Sequence, residues 1–333
     1  MRAPPAHSPL PFIDRPFHTM TSPSIQRVAI VATGVIGASW AAHFLAHGLD
    51  VVAPDPAPDA EARLRASVAR HWPTLERLGL APGASIDRLR FHAELDTALQ
   101  GVDFVQENGP ERRDFKIDLF QRMDALLLPE VILASSSSGL STTDIQSACR
   151  HPGRVVLGHP FNPPHLIPLV EVIGGAHTSA RTIERAMQFY ASVGKRPIHG
   201  RKEIQGHIAN RLQAALWREA FHLVEQGVAT VEDIDTAIAF GPGLRWGVFG
   251  PFMNLHFSGG AGGIAHVLDH LGGPIEAWWQ DLGTPAMTAE LKALVVQGMA
   301  DALEGQSLAA LEARRDELLI GLIQARAAAD PRS

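Results

Sequence analysis

Four polar residues, Ser138, His159, Glu171 and Asn210, stand where strands or helices should end, on the side of a sheet that a ligand would occupy. Glu171 interrupts Leu169-Val170-Glu171-Val172, an otherwise apolar strand, where an ionised side chain is costly unless it is paired. A histidine partner accounts for it, and a histidine held by a carboxylate can take up and return a proton near neutral pH. Ser138 follows the apolar run 131–134 and His159 follows 154–158. Three of the four also have a plainer reading: His159 as a hydrogen-bonded core histidine, Ser138 as one of four serines serving a turn, and Asn210 as a helix cap.

The elements that must position these residues are legible in the hydrophobic pattern. From Gln26 to about Ile198, short β-branched runs alternate with longer helical stretches, which predicts a parallel sheet covered by helices, a Rossmann-type doubly wound α/β domain. Strands are predicted at 28–31, 50–53, 88–92, 102–106, 131–134, 154–158, 169–172 and 197–199, and helices include 35–47, 59–78, 113–126 and 180–192. Beyond Gly206 the chain is Ala- and Leu-rich with helical spacing, which predicts an all-helical C-terminal domain. The division is therefore a tail over 1–25, a nucleotide domain over 26–200 and a helical substrate and dimerisation domain over 201–330.

The turn Val31-Ala32-Thr33-Gly34-Val35-Ile36-Gly37 joins the first strand to the first helix, as dinucleotide sites require. Gly34 would let the backbone approach a pyrophosphate, Gly37 would let the helix pack closely, and the helix N-terminus would face the phosphates. Asp55, at the tip of the second strand, fits ribose hydroxyls and repels a 2′-phosphate, so NAD is favoured over NADP. Ala32 replaces the first glycine of the usual triplet, and it fits the turn only if its φ is negative. The cofactor-binding set is read as Gly34, Val35, Ile36, Gly37 and Asp55, with Glu111 and Lys116.

Composition narrows the classes. A formal net charge of −6 and a pI near 6.2 give no electrostatic reason to bind nucleic acid or anionic membrane. No apolar run is long enough to span a bilayer, and the proline-scattered first 25 residues lack the apolar core of a signal peptide. The single Cys149 suits a reducing cytoplasm. None of the sixteen histidines falls in a paired metal-binding pattern, so no metal is expected.

Several longer segments carry a resemblance. Ala134-Ser135-Ser136-Ser137-Ser138-Gly139-Leu140, Gly158-His159-Pro160-Phe161-Asn162-Pro163-Pro164 and Gly206-His207-Ile208-Ala209-Asn210-Arg211 resemble motifs of the 3-hydroxyacyl-CoA dehydrogenase superfamily. Within it, His71-Trp72-Pro73-Thr74-Leu75-Glu76, Pro110-Glu111-Arg112 and Gly241-Pro242-Gly243-Leu244-Arg245-Trp246 are similar to the bacterial carnitine 3-dehydrogenases. The resemblance implies an NAD-dependent dehydrogenase in which His159 takes the proton of a C3 hydroxyl, Glu171 orients it, and Ser138 and Asn210 hold the substrate oxygen. Two positions depart from the superfamily: His207 stands where Phe is usual and Pro160 where an aromatic is usual.

The substrate is read from charge. From Pro56 to Asp87 there is no lysine, and the arginines are interleaved with acids, so a small free acid is favoured over a CoA ester. Arg245 or Arg211 could fork a carboxylate. A quaternary ammonium would need an aromatic face or a carboxylate, for which Trp246 and Glu111 are candidates, although Trp246 could be core packing and Glu111 a helix cap. The leading expectation is oxidation of L-carnitine. A 3-hydroxyacyl-CoA or L-gulonate dehydrogenase stands next, and a non-catalytic, crystallin-like NAD-binding protein represents another class. A homodimer formed through the helical half is also expected.

Overall fold

Valine, isoleucine and alanine fill both faces of the central strands, so the sheet has to be covered on both sides. In the computed structural model, which describes residues 25–329, the N-terminal strand β1 (Arg27–Val31) sends Val28 and Ile30 into one core cluster and Ala29 and Val31 into another. Seven further strands follow: β2 (Asp50–Pro54), β3 (Leu89–His92), β4 (Phe104–Glu107), β5 (Ile132–Ser135), β6 (Val155–Pro160), β7 (Leu169–Gly174) and β8 (Arg196–Gly200). All eight expected strands are present, within a few residues of their expected ends. The tail read over 1–25 lies, except for Ile25, outside the described residues.

The sheet runs in the order β3-β2-β1-β4-β5-β6-β7-β8. The chain reverses between β1 and β4, so a crevice opens at their carboxyl ends. One face is packed by α1 (Val35–Ala46), α2 (Ala60–Leu78) and α6 (Ala180–Ser192). The other carries α3 (Leu95–Ala98), α4 (Arg113–Leu126) and α5 (Thr142–Ile145). Helix α1 is apolar nearly all round because it is buried from Gly37 to Ala46.

The sheet is parallel except at one edge. Strand β7 pairs antiparallel with β6, and β8 then pairs parallel with β7. The link between β6 and β7 is a short loop without a crossover helix, and such a loop can only join antiparallel neighbours.

The helical half follows β8: α7 (Ala209–Glu225), α8 (Val231–Phe240), α9 (Pro242–Trp246), α10 (Pro251–Ser258), α11 (Gly263–Asp281), α12 (Ala289–Leu303) and α13 (Leu308–Ala329). Helices α7 to α10 contain no fully buried residue. The last helix returns to the first half, where Glu317 forms a forked pair with Arg77 of α2 at 2.7 and 2.8 Å.

Candidate active site

The glycine turn is drawn tight. A Cβ on Gly37 would stand 2.1 Å from the Ala32 carbonyl oxygen, so only glycine lets α1 start this close to β1. Gly34 has open space around its Cβ position, and no side chain caps α1. The exposed Val35 and the first N–H groups of the helix are left to face a ligand.

Ala32 overturns one expectation, since its φ is +67°, in the left-handed region. The turn geometry that a glycine usually supplies is imposed on a residue with a Cβ, because the Ala32 amide bonds the Pro54 carbonyl at 3.1 Å and fixes the backbone. Asp55 helps to hold it. One carboxylate oxygen accepts from the Thr33 amide and hydroxyl, both at 2.8 Å, and the other accepts from the Ala57 amide at 2.9 Å. Burial raises its pKa, but the bonds from Thr33 and Ala57 outweigh this and hold it below the ordinary value. The cradle, the free helix end and the ionised Asp55 together fit an NAD cofactor.

At the ends of β4 and β5 lies a polar network. Glu107, the last residue of β4, is fully buried and pairs with Lys116 Nζ at 2.7 and 2.8 Å while accepting from Ser135 Oγ at 2.6 Å. Lys116 is therefore buried beneath the site, and its next acidic neighbour is Glu111 at 3.8 Å. Glu111 Oε1 gathers the serine loop, accepting from Ser137 Oγ at 2.5 Å and from the amides of Ser138, Gly139 and Leu140 at 3.1, 2.7 and 3.3 Å. Burial pushes the Glu111 pKa up, and the bonds from Ser137 and Gly139, with Lys116, more than offset it, so the group is an anion. Glu111 thus organises the loop instead of capping α4, whose N-cap is Arg112. Ser138 is exposed on this loop, whereas Ser137 is buried.

His159 and Glu171 face each other across the antiparallel pair of β6 and β7. His159 Nδ1 lies 2.8 Å from Glu171 Oε2, with Glu171 0% exposed and His159 6% exposed. The other carboxylate oxygen accepts from the amides of Ile208 and Ala209 at 2.8 and 3.0 Å, the free N–H groups at the start of α7. Burial raises the Glu171 pKa, but His159 and these amides together lower it below the ordinary range. A carboxylate on Nδ1 leaves Nε2 as the nitrogen free to act on a substrate.

Asn210 sits in the first turn of α7, directly after the amides that hold Glu171, and is not its cap, which is Ile208. Arg211, beside it, is exposed and bonds the Gln205 carbonyl at 3.4 Å. Arg245 and Trp246 lie exposed on α9. Among the described residues no hydrogen bond, ion pair or ring contact joins them to His159 or Glu171. Trp246 is 41% exposed in the single chain.

Sequence reasoning missed the support beneath the pair. Gln106 donates to Ser136 Oγ at 2.8 Å and to the Gly158 carbonyl at 3.1 Å, and it accepts from the Tyr190 hydroxyl at 2.5 Å. The signal was present as Gln106-Glu107-Asn108, three polar residues closing an apolar strand. His207 lies inside the site, its ring 5.1 Å from that of His159. A cavity of about 360 Å³ opens between the serine loop and the segment before α7, lined by Leu140, Ile173, Glu203 and His207.

The chain matches two family models. Residues 27–204 match the 3-hydroxyacyl-CoA dehydrogenase NAD-binding domain and residues 206–293 the 3-hydroxyacyl-CoA dehydrogenase C-terminal domain. Among similar proteins, L-carnitine dehydrogenase of Streptomyces coelicolor is 52% identical over 92% of this chain and 96% of its own length. That of Pseudomonas aeruginosa is 48% identical over 90% and 94%. Among solved structures, the 5-dehydrogenase of 5-formyl-3-hydroxy-2-methylpyridine 4-carboxylic acid, an NAD+-dependent dismutase, has a TM-score of 0.79 at 31% identity, covering 91% of this chain and 99% of that one. The 3-hydroxybutyryl-CoA dehydrogenase of Escherichia coli has a TM-score of 0.63 at 28% identity, covering 83% of this chain and 57% of that one.

Proposed function

The chain belongs to the 3-hydroxyacyl-CoA dehydrogenase family and is an NAD-dependent dehydrogenase acting on a CH–OH group, and from that premise we propose that it oxidises L-carnitine to 3-dehydrocarnitine with His159 as base. The substrate reading is carried by about half the residues being identical to L-carnitine dehydrogenases over more than nine-tenths of this chain. Bound NAD supplies the hydride acceptor, and Gly34, Val35, Ile36, Gly37 and Asp55 are the residues that would hold it.

His159 Nε2 takes the proton of the C3 hydroxyl as its hydride leaves. Glu171, on the far nitrogen, fixes the tautomer and stabilises the imidazolium that forms. Ser138 and Asn210 orient the substrate oxygen. The anionic Glu111 faces the ammonium end from beneath the serine loop, and Arg211 or Arg245 takes the carboxylate. Arg245 and Trp246, exposed in one chain, fit this role only if closure or a second copy brings α9 to the site.

We also infer a homodimer built on the helical half, because Phe240, Phe252, Trp278 and Trp279 are all at least 65% exposed in the single chain. Among the described residues no helix is long and apolar enough to cross a membrane, and the single cysteine favours a cytoplasmic setting.

The deciding experiment follows NADH formation with L-carnitine, 3-hydroxybutyryl-CoA and L-gulonate side by side. Turnover of carnitine with a kcat/KM at least tenfold above the others is the expected result, and turnover of the CoA ester alone would overturn the assignment. Replacing His159→Gln should lower kcat by about 10²–10⁴-fold, the range for losing a positioned base. Full activity in that variant would remove His159 from the reaction.

A further inference from the structure

Gly206 and His207 are consecutive left-handed residues, with φ of +75° and +52°. Glycine adopts this freely, whereas a histidine there is strained unless its surroundings hold it. The turn carries the His207 ring inward, where it is 5% exposed and lies 5.1 Å, centroid to centroid, from the ring of His159. Its Nε2 lies 3.2 Å from the carbonyl oxygen of Ser137. A carbonyl only accepts, so Nε2 carries the hydrogen.

Burial, and then the neighbouring His159, hold the ring below the ordinary imidazole range, so it is neutral and its Nδ1 is a bare acceptor. That buried Nδ1 has no hydrogen-bond partner among the described residues. One side chain therefore touches three parts of the site: the serine loop, the ring of His159, and the chain that next supplies the Ile208 and Ala209 amides to Glu171.

We propose that His207 is a positioning residue that ties the serine loop to His159 and sets, as a neutral polar ring packed against it, how readily His159 becomes an imidazolium. Leaving a buried acceptor unpaired has a cost, and a cation beside it lowers that cost. When His159 holds the substrate proton, the uncharged acceptor-bearing ring is a better neighbour than a hydrocarbon ring in its place. The charged or titratable groups around the two rings are Glu171 from β7 and Glu111 from the loop after β4, both held below the ordinary carboxylate range, and Glu203, which lines the same cavity as His207 and accepts from the Thr143 amide and hydroxyl. The inference rests on His159 being the base.

The test is the pH profile of kcat/KM for the purified enzyme and for His207→Phe, which keeps an aromatic ring at this position and removes both ring nitrogens. The expected result is an acid limb shifted to lower pH by about half a unit, with kcat at the plateau down about threefold and the KM for NAD unchanged. An unmoved limb with kcat and KM altered together would reduce His207 to packing, and a shift to higher pH would mean that His207 carries charge; either overturns the proposal. His207→Gly, which adopts a left-handed φ freely and leaves no side-chain acceptor in the ring's place, is measured in parallel in case the Phe variant does not fold, and an unmoved limb there counts equally against the proposal. NMR titration of the His159 ring in both variants reads the same shift without turnover. Full activity of His159→Gln would instead overturn the assignment of the base, so the two failures are distinguishable.

Discussion

Glu171 is a fully buried charge in the sheet, held by His159 and by the amides of Ile208 and Ala209. Because its pKa is depressed in the folded protein, its stabilising contribution is complete above the ordinary carboxylate range and is lost as the pH falls through the depressed value. Glu171→Gln keeps the acceptor for the Ile208 and Ala209 amides but removes the charge beside His159. The expected cost is about 1.5–3 kcal/mol on the chemical step, roughly ten- to a hundredfold in kcat with KM little changed. A fall of less than twofold in steady-state assays would dismiss the orienting role. Ala32, held at φ +67°, gives the opposite kind of prediction. Ala32→Gly removes about 1–2 kcal/mol of left-handed strain while adding about 0.5–1 kcal/mol of chain entropy, so thermal unfolding should move upward slightly with NAD affinity retained. Ala32→Val should lower both.

At the scale of elements, the loop between β6 and β7 joins the strand that carries His159 to the strand that carries Glu171. It is stapled by Lys195, whose Nζ bonds the carbonyls of Pro164 and, at 3.2 Å, Ile167, and lies 5.0 Å over the Trp40 ring. Burial lowers the Lys195 pKa to about 7, and no carboxylate pairs with it among the described residues. The unfolded chain holds this proton until about pH 10 while the folded protein gives it up near 7, so stability should rise with pH across that window. The slope attributable to this one group is on the order of 1 kcal/mol per unit at most. Denaturant titrations at pH 6.5, 8 and 9.5 should show the rise, and Lys195→Met should flatten it. An equal rise in the variant would assign the effect to other groups.

The whole molecule is lopsided. Two core clusters fill the sheet half, whereas in the helical half Val267, Leu291 and Ile320 are the large apolar side chains that reach full burial. Phe252 is 77% exposed in the single chain, and Phe240, Trp278 and Trp279 are at least 65% exposed, which supports the proposed dimer. Light scattering on the purified chain should give twice the mass of one chain at micromolar concentration, and a monomer would refute the dimer. Phe252→Asp should then weaken association and cost more than the few tenths of a kcal/mol typical of a surface position.

Much of this was determined by the sequence alone. Eight strands, the glycine turn with Asp55, and the polar residues His159 and Glu171 are readable, because apolar alternation, turn chemistry and a carboxylate in a buried strand are local signals, whereas Ser138 is singled out among four serines only by the family resemblance. The tertiary structure decided what depends on contacts between distant segments. The antiparallel return of β7 sets His159 opposite Glu171, and no periodicity in 169–174 reveals strand direction. Glu111 gathers a loop that starts 26 residues later, and Lys116 is buried against Glu107. His207 reads in sequence as one unusual residue in a motif. Only the fold, by holding it left-handed and closing the serine loop over it, makes it a neighbour of His159.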